Sequence, residues 1–209
     1  MTIKLHGMTY SNYYNMVKAA MLENNVGYEE VHVLPNQESD FLQKSPMGKV
    51  PCLETDEGFI TETSVIIDYV DSVGAGASLY PTNSFAKAKV QELMRHLELD
   101  IELPGRRLYG DAFFSRPATD ELKAEVKAQL GKGFISLAKI AKYGPWLAGA
   151  EFSYADLYLI YSLGPVTQVC KKVLAWDLYA EYPELSALVG LIKERASIIQ
   201  VAADQAKAD

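Results

Sequence analysis

The chain has 209 residues, 49% of them hydrophobic, and a formal net charge of −7. It is long enough to bury a real core in one large domain or two small ones. Its apolar content at this modest charge excludes a disordered chain. No apolar run approaches the roughly 18 residues of a membrane span. Residues 1–80 carry four lysines and no arginine against eleven acidic residues, so this part alone holds a net of −7 and the remainder is neutral. An acidic first part of this kind excludes a nucleic-acid surface, which needs clustered Lys and Arg.

The opening MTIKLHGM passes directly into a strand-like pattern, Ile3-Lys4-Leu5-His6, without the basic and apolar regions of a secretory signal. Cys52 and Cys170 have no CxxC spacing and fit a reducing compartment without a disulfide framework. The expected location is the cytoplasm. A helix is expected over 12–25, where Met16, Val17, Ala20, Met21 and Leu22 recur at helical spacing. Residues 28–34 alternate like a strand and stop at Pro35. A short helix near 39–44, strands at 51–54 and 58–60, and a helix over 62–72 follow. The order is β-α-β-α-β-β-α.

Glycines and prolines between 74 and 84 mark a break. Beyond it the pattern is helical, over 84–109, 118–142, 153–170 and 183–196. Ser153 and Asp156 have the spacing of a capping box, with Phe152 and Leu157 placed for a hydrophobic staple. The Ala-rich tail after Ser197 is expected to fray. The fold class is therefore an α/β thioredoxin-like N-terminal domain (1–76), a linker (77–84), and an all-α domain (85–209).

The segment SPMGKVPCLETDEGFITETSVIIDYV, residues 45–70, carries the strongest functional signal. A Val50-Pro51 bond at a strand start is a natural site for a cis peptide. In that form the Val50 N–H and C=O face outward, where an extended peptide can pair with them. Glu62, Thr63 and Ser64 then open a helix whose first-turn N–H groups are ready for a carboxylate. The segment suits a small acidic peptide.

With these motifs in register, the chain resembles the cytosolic glutathione transferases over its whole length. The turn Ser45-Pro46-Met47-Gly48-Lys49-Val50-Pro51-Cys52-Leu53 matches that family's S/N-P-x-G-x-V-P-x-L. Residues Glu62 to Tyr69 match its E-S-x-A-I-x-x-Y, with Thr63 in place of the usual Ser. Phe152 to Leu159 match F-S-x-A-D-x-x-L. The resemblance implies glutathione as cosubstrate, with Val50 and Pro51 at its cysteinyl unit, Glu62 and Thr63 at its γ-glutamyl end, and Lys49 near its glycyl carboxylate. For Lys49 the alternative is a solvated turn lysine. For Glu62 and Thr63 it is simple helix capping.

The resemblance places the thiol-activating residue just after the first strand, where the chain reads Gly7-Met8-Thr9-Tyr10-Ser11-Asn12-Tyr13-Tyr14. Ser11 aligns with the Ser of the Ser-type classes; a hydroxyl at a helix start can donate to a thiolate. Tyr10 is the rival donor, with Tyr13 and Tyr14 nearby, and Ser11 as a plain N-cap is the third possibility. Cys52 reads as a buried core residue. His6, His32 and His96 show no metal-ligand spacing, and no metal is expected. The pair Arg106-Arg107, beside Tyr109, Phe113 and Phe114, could take an acidic or aromatic substrate or be a solvated helix end. The expected activity is conjugation of glutathione to a small hydrophobic electrophile held by the second domain of a homodimer, as in detoxification. The alternatives are a non-enzymatic glutathione-binding or protein-docking module, and glutathione-dependent isomerase or peroxidase chemistry.

Overall fold

A computed structural model describes residues 3–207. It divides into two compact units: one runs up to Leu79 and resumes at Glu194, the other is Tyr80–Lys193. In the first, strand β1 (Lys4–Gly7) leads into helix α1 (Asn12–Glu23), then β2 (Glu29–His32), a short α2 (Ser39–Leu42), β3 (Cys52–Thr55), β4 (Gly58–Ile60) and α3 (Thr63–Val73). The four strands lie in the order β2-β1-β3-β4. β1 pairs parallel with β2 and antiparallel with β3, and β4 closes the far edge antiparallel to β3. This is the thioredoxin-like arrangement expected from the element order.

The core follows from the alternation of strand side chains. Leu5 and Leu53 are opposite each other across β1 and β3 and are fully buried. Met16, Val17 and Ala20 of α1 and Ile66, Ile67 and Val70 of α3 are buried as well. Fully burying each large side chain of this kind is worth about 1.5–3 kcal/mol. The outer strand β2 is short and mostly exposed, and it carries Glu29 and Glu30, charges that keep a free edge from pairing with another chain.

The tail expected to fray is instead helix α11 (Ala196–Lys207), with Ile198 and Val201 buried. It packs on α1 in the first unit rather than continuing the all-α domain. Polar ties hold it there. The Arg195 guanidinium is bidentate on Glu23 at 2.9 and 2.6 Å, and the buried Lys18 ammonium lies 2.9 Å from Asp204 Oδ2. These ion pairs join residues far apart in sequence, so local pattern gave no sign of them.

The second unit is helical: α4 (Ser84–His96), α5 (Leu103–Arg106), α6 (Tyr109–Phe114), α7 (Asp120–Ile140), α8 (Tyr154–Val173), α9 (Leu178–Glu181) and α10 (Pro183–Lys193). The single helix expected over 84–109 is interrupted by a π-helical turn, Leu97–Glu102. The cause is local. Pro104 has no N–H to give to the carbonyl four residues back, and the Leu103 N–H reaches the Glu98 carbonyl, five residues back. At the start of α8 the fully buried Asp156 accepts the N–H groups of Ser153 (2.9 Å) and Leu147 (2.8 Å), which secures the capping motif seen in the sequence.

Candidate glutathione site

Three segments remote in sequence reach one end of the sheet. His6 pairs with Cys52, so the C-terminal end of β1 lies beside the N-terminal end of β3. Ile60 pairs with Leu53, which brings the C-terminal end of β4 to the same edge. The turn 8–11, the Lys49-Val50-Pro51 segment and the Glu62-Thr63 helix start therefore emerge together. Topology alone converges the residues that the sequence motifs singled out.

The Val50-Pro51 peptide is cis. The turn before it is held tightly: Ser45, buried, donates its hydroxyl to the Lys49 carbonyl at 2.7 Å and accepts the Lys49 N–H at 3.2 Å. Gly48 has φ +63°, and a Cβ there would stand 2.0 Å from the Asn36 carbonyl oxygen, so only glycine fits. Among the described residues the Val50 N–H and C=O make no backbone hydrogen bond, which leaves both for an added extended segment. Lys49 is exposed and has no ion-pair partner among the described residues.

Helix α3 begins in an unusual way. Glu62, its N-cap, has φ 69° and ψ 115°, a left-handed conformation that a non-glycine residue holds at a cost of order 1–3 kcal/mol. Its side chain makes no capping bond, and no acidic residue stands in the first turn. Thr63, the next residue, is buried. The first-turn N–H groups thus keep their positive end of the helix dipole uncompensated by the helix itself. That is an anion-binding arrangement.

Helix α1 starts differently. Ser11, with φ −80° and ψ 116°, caps the helix by accepting the Tyr14 N–H on Oγ at 3.2 Å. Capping uses a lone pair of the oxygen. The hydroxyl proton is not needed for it and stays available as a donor. The cap and the thiolate-donor roles, alternatives in the sequence, are compatible in one side chain.

The tyrosines separate. Tyr10 is 61% exposed. Tyr14 is buried, and its phenol donates to Glu30 Oε2 at 2.5 Å. Burial and that carboxylate make the phenol much less acidic, holding its pKa well above the ordinary range. Tyr14 is therefore already committed to a partner. The Cys52 thiol is fully buried and pushed up to about 11, chiefly by burial. A thiol in that state is no nucleophile at neutral pH. His6 is paired with Glu54 at 2.7 Å, and His96 with Asp100 at 2.9 Å. No group of three or more His, Cys, Asp or Glu among the described residues is placed to hold a metal.

In the second unit Arg106 binds the buried Glu102 and covers the Tyr109 ring, while Arg107 is bidentate on Glu125 at 2.8 and 3.0 Å. Both guanidinium groups are matched by carboxylates, so of the two sequence readings the open anion acceptor is not supported. The sequence also gave no sign of the strained Glu62 backbone or of the Tyr14–Glu30 bond. The first has no compositional signature, and the second joins α1 to β2.

A thioredoxin-like sheet with a cis-proline turn, an uncapped helix start and a following helical unit is the arrangement that the resemblance to glutathione transferases implied. Comparison with known proteins agrees. The N-terminal domain pattern of glutathione S-transferases matches residues 5–77 and the C-terminal domain pattern residues 106–203. A glutathione S-transferase of Pseudomonas putida is 41% identical over 203 residues, covering 97% of this chain and 92% of that protein. Glutathione transferase F2 of Populus trichocarpa has a TM-score of 0.82 at 20% identity, covering 98% of this chain and 99% of the other. A Sulfitobacter glutathione transferase homologue, solved with bound glutathione, has a TM-score of 0.74 at 22% identity, covering 97% and 98%. The chain belongs to the glutathione S-transferase family, transferases whose cosubstrate is glutathione.

Proposed function

We propose that this chain conjugates the glutathione thiolate to a small hydrophobic electrophile, in the manner of a cytoplasmic detoxification enzyme acting as a homodimer. The observation that carries the reading is the helix start at Glu62-Thr63: strained, uncapped, free of acidic residues in its first turn, and at the same sheet edge as Val50 and Ser11. A carboxylate at that turn gains charge-assisted hydrogen bonds from N–H groups that have no other partner in the helix. We assign the γ-glutamyl end to Glu62 and Thr63, the cysteinyl backbone to Val50 beside Pro51, and the glycyl carboxylate to Lys49.

Ser11 then faces the cysteinyl sulfur. Its oxygen takes the Tyr14 N–H and its hydroxyl proton goes to the thiolate, with the α1 dipole favouring the anion. Each unit by which the thiol is acidified is about 1.36 kcal/mol of preference for the thiolate. The thiolate attacks the electrophilic carbon and a C–S bond forms. The electron pair displaced leaves with the departing group, or takes up a proton where the electrophile is a conjugated acceptor. Activation and positioning provide the catalysis.

The test pairs glutathione titration with conjugation of an activated aryl halide. Glutathione binding by the native protein, with turnover lost in Ser11→Ala, is the expected result. Binding without turnover in the native protein identifies a docking module. Full turnover in Ser11→Ala removes Ser11 from its role.

A further inference from the structure

Helix α1 has a buried polar face for which the conjugation scheme gives no reason. Lys18 is 2% exposed, yet its ammonium lies 2.7 Å from Glu30 Oε1 and 2.9 Å from Asp204 Oδ2. The other Glu30 oxygen accepts the Tyr14 phenol at 2.5 Å. The Tyr14 ring in turn lies against the last residue of β1: a Cβ on Gly7 would come within 2.2 Å of Tyr14 Cδ2. The Tyr14 N–H holds Ser11 Oγ, and the neighbouring Asn15 amide donates to the Thr9 carbonyl at 2.7 Å. The turn carrying Ser11 is thus fixed from beneath by the Tyr14 main-chain N–H and the Asn15 amide. Tyr14 is itself fixed by a carboxylate on β2, and that carboxylate by an ammonium that also grips α11.

Lys18 is buried but its partners Glu30 and Asp204 reach solvent, so these ion pairs are a poor source of net stability. What they provide is a single geometry. Two charge-assisted bonds on Glu30 leave its carboxylate one orientation, and the phenol one place to donate.

Resting on the assignment of Ser11 made above, we infer that Tyr14 is a positioning residue for conjugation: its bond to Glu30, braced by Lys18 and Asp204, holds the Ser11 oxygen so that the hydroxyl proton points toward the cosubstrate sulfur. Tyr14 does not donate to the thiol itself, because its one proton is given to Glu30. The C-terminal helix therefore acts on the chemistry through residues that never touch substrate. The route is Asp204, Lys18, Glu30 and the Tyr14 phenol by side-chain contacts, then through the Tyr14 residue itself to its main-chain N–H on Ser11.

The experiment is a double-mutant cycle on the full chain with Tyr14→Phe, Ser11→Ala and the pair, read by conjugation kinetics and by ultraviolet titration of the bound thiol. Tyr14→Phe is expected to lower kcat/KM about tenfold, roughly 1.4 kcal/mol, with the bound thiol less acidic and KM for glutathione unchanged. In the Ser11→Ala background the same change is expected to add nothing, because the two residues act as one unit. Glu30→Gln, on the exposed edge strand, repeats the loss should Tyr14→Phe fold poorly, and Lys18→Arg preserves activity where Lys18→Met does not. An equal loss in both backgrounds, or none in either Tyr14→Phe or Glu30→Gln, overturns the positioning role. A Ser11→Ala variant with native activity overturns the Ser11 assignment first, and the positioning role with it.

Discussion

Two helices begin at the same edge of the sheet and solve the same problem in opposite ways. α1 is capped by its own Ser11, which satisfies a first-turn N–H; α3 starts at Glu62 in a strained conformation with no side-chain cap. An N-cap hydrogen bond is worth about 1 kcal/mol, and left-handed strain costs of order 1–3 kcal/mol. The first unit therefore forgoes stability at α3 that it collects at α1. The difference fits the two roles proposed for these helix starts. An uncapped turn offers N–H donors to an external carboxylate, while a capped turn offers only the proton of the capping hydroxyl. On the proposed assignment, the α3 start binds the cosubstrate and the α1 start acts on its sulfur.

The contrast can be broken from either side. The largest effect belongs to the acting end: Ser11→Ala should lower kcat/KM roughly a hundredfold, about 2.7 kcal/mol of transition-state stabilisation. Stability falls only by about 1 kcal/mol as the cap is lost. Ser11→Asp separates the two roles, since it still caps α1 but places a negative charge at the thiolate. Urea unfolding should show near-native stability, and the conjugation assay almost no turnover.

At the binding end, Thr63→Ala should weaken glutathione tenfold or more, because a hydrogen bond to a charged group contributes about 1.5–3 kcal/mol. kcat should change little, a split that titration and saturation kinetics resolve. Glu62→Gly sharpens the point about strain. Glycine adopts φ 69° at no steric cost, so the variant should be about 1 kcal/mol more stable yet bind glutathione less well. A variant both more stable and equally tight in binding would show that the strain serves no ligand.

The smallest effect concerns the clamp on α11. The Asp204 carboxyl is held down to about 2 by the Gln200 amide and the Lys18 ammonium. In the unfolded chain it titrates near its ordinary value of about 3.9. Its stabilisation is therefore complete above about pH 4 and lost as the pH falls toward 2. Urea midpoints of Asp204→Asn should change less with pH across that window than those of the native chain, with parallel curves above it.

How much of this could be read in the sequence differs between the two helix starts in the same way. The α3 start lies in a contiguous motif with the cis-proline turn, so Lys49, Val50, Pro51, Glu62 and Thr63 could be proposed together from the resemblance to the family's motifs. The order of elements along the chain and most helices followed from periodicity and turn residues. The α1 start was ambiguous because four hydroxyl side chains crowd positions 10 to 14. What distinguishes Tyr14 from Ser11 is a carboxylate on β2, far away along the chain. α11 was misread for the same reason: its Ala-rich sequence has weak local preference, and Glu23, Lys18 and their partners supply the anchoring through space. The π-helical turn before Pro104 shows a local rule acting inside a helix whose overall period remains regular.

The central claim is that one serine oxygen caps α1 and, through its proton, acidifies the bound thiol. The most direct test is the acidity of glutathione bound to the native protein and to Ser11→Ala, measured by thiolate absorbance against pH. The account predicts a bound thiol clearly more acidic than free glutathione in the native protein, and one returned toward the free value in the variant. Equal acidity in the two complexes would contradict it.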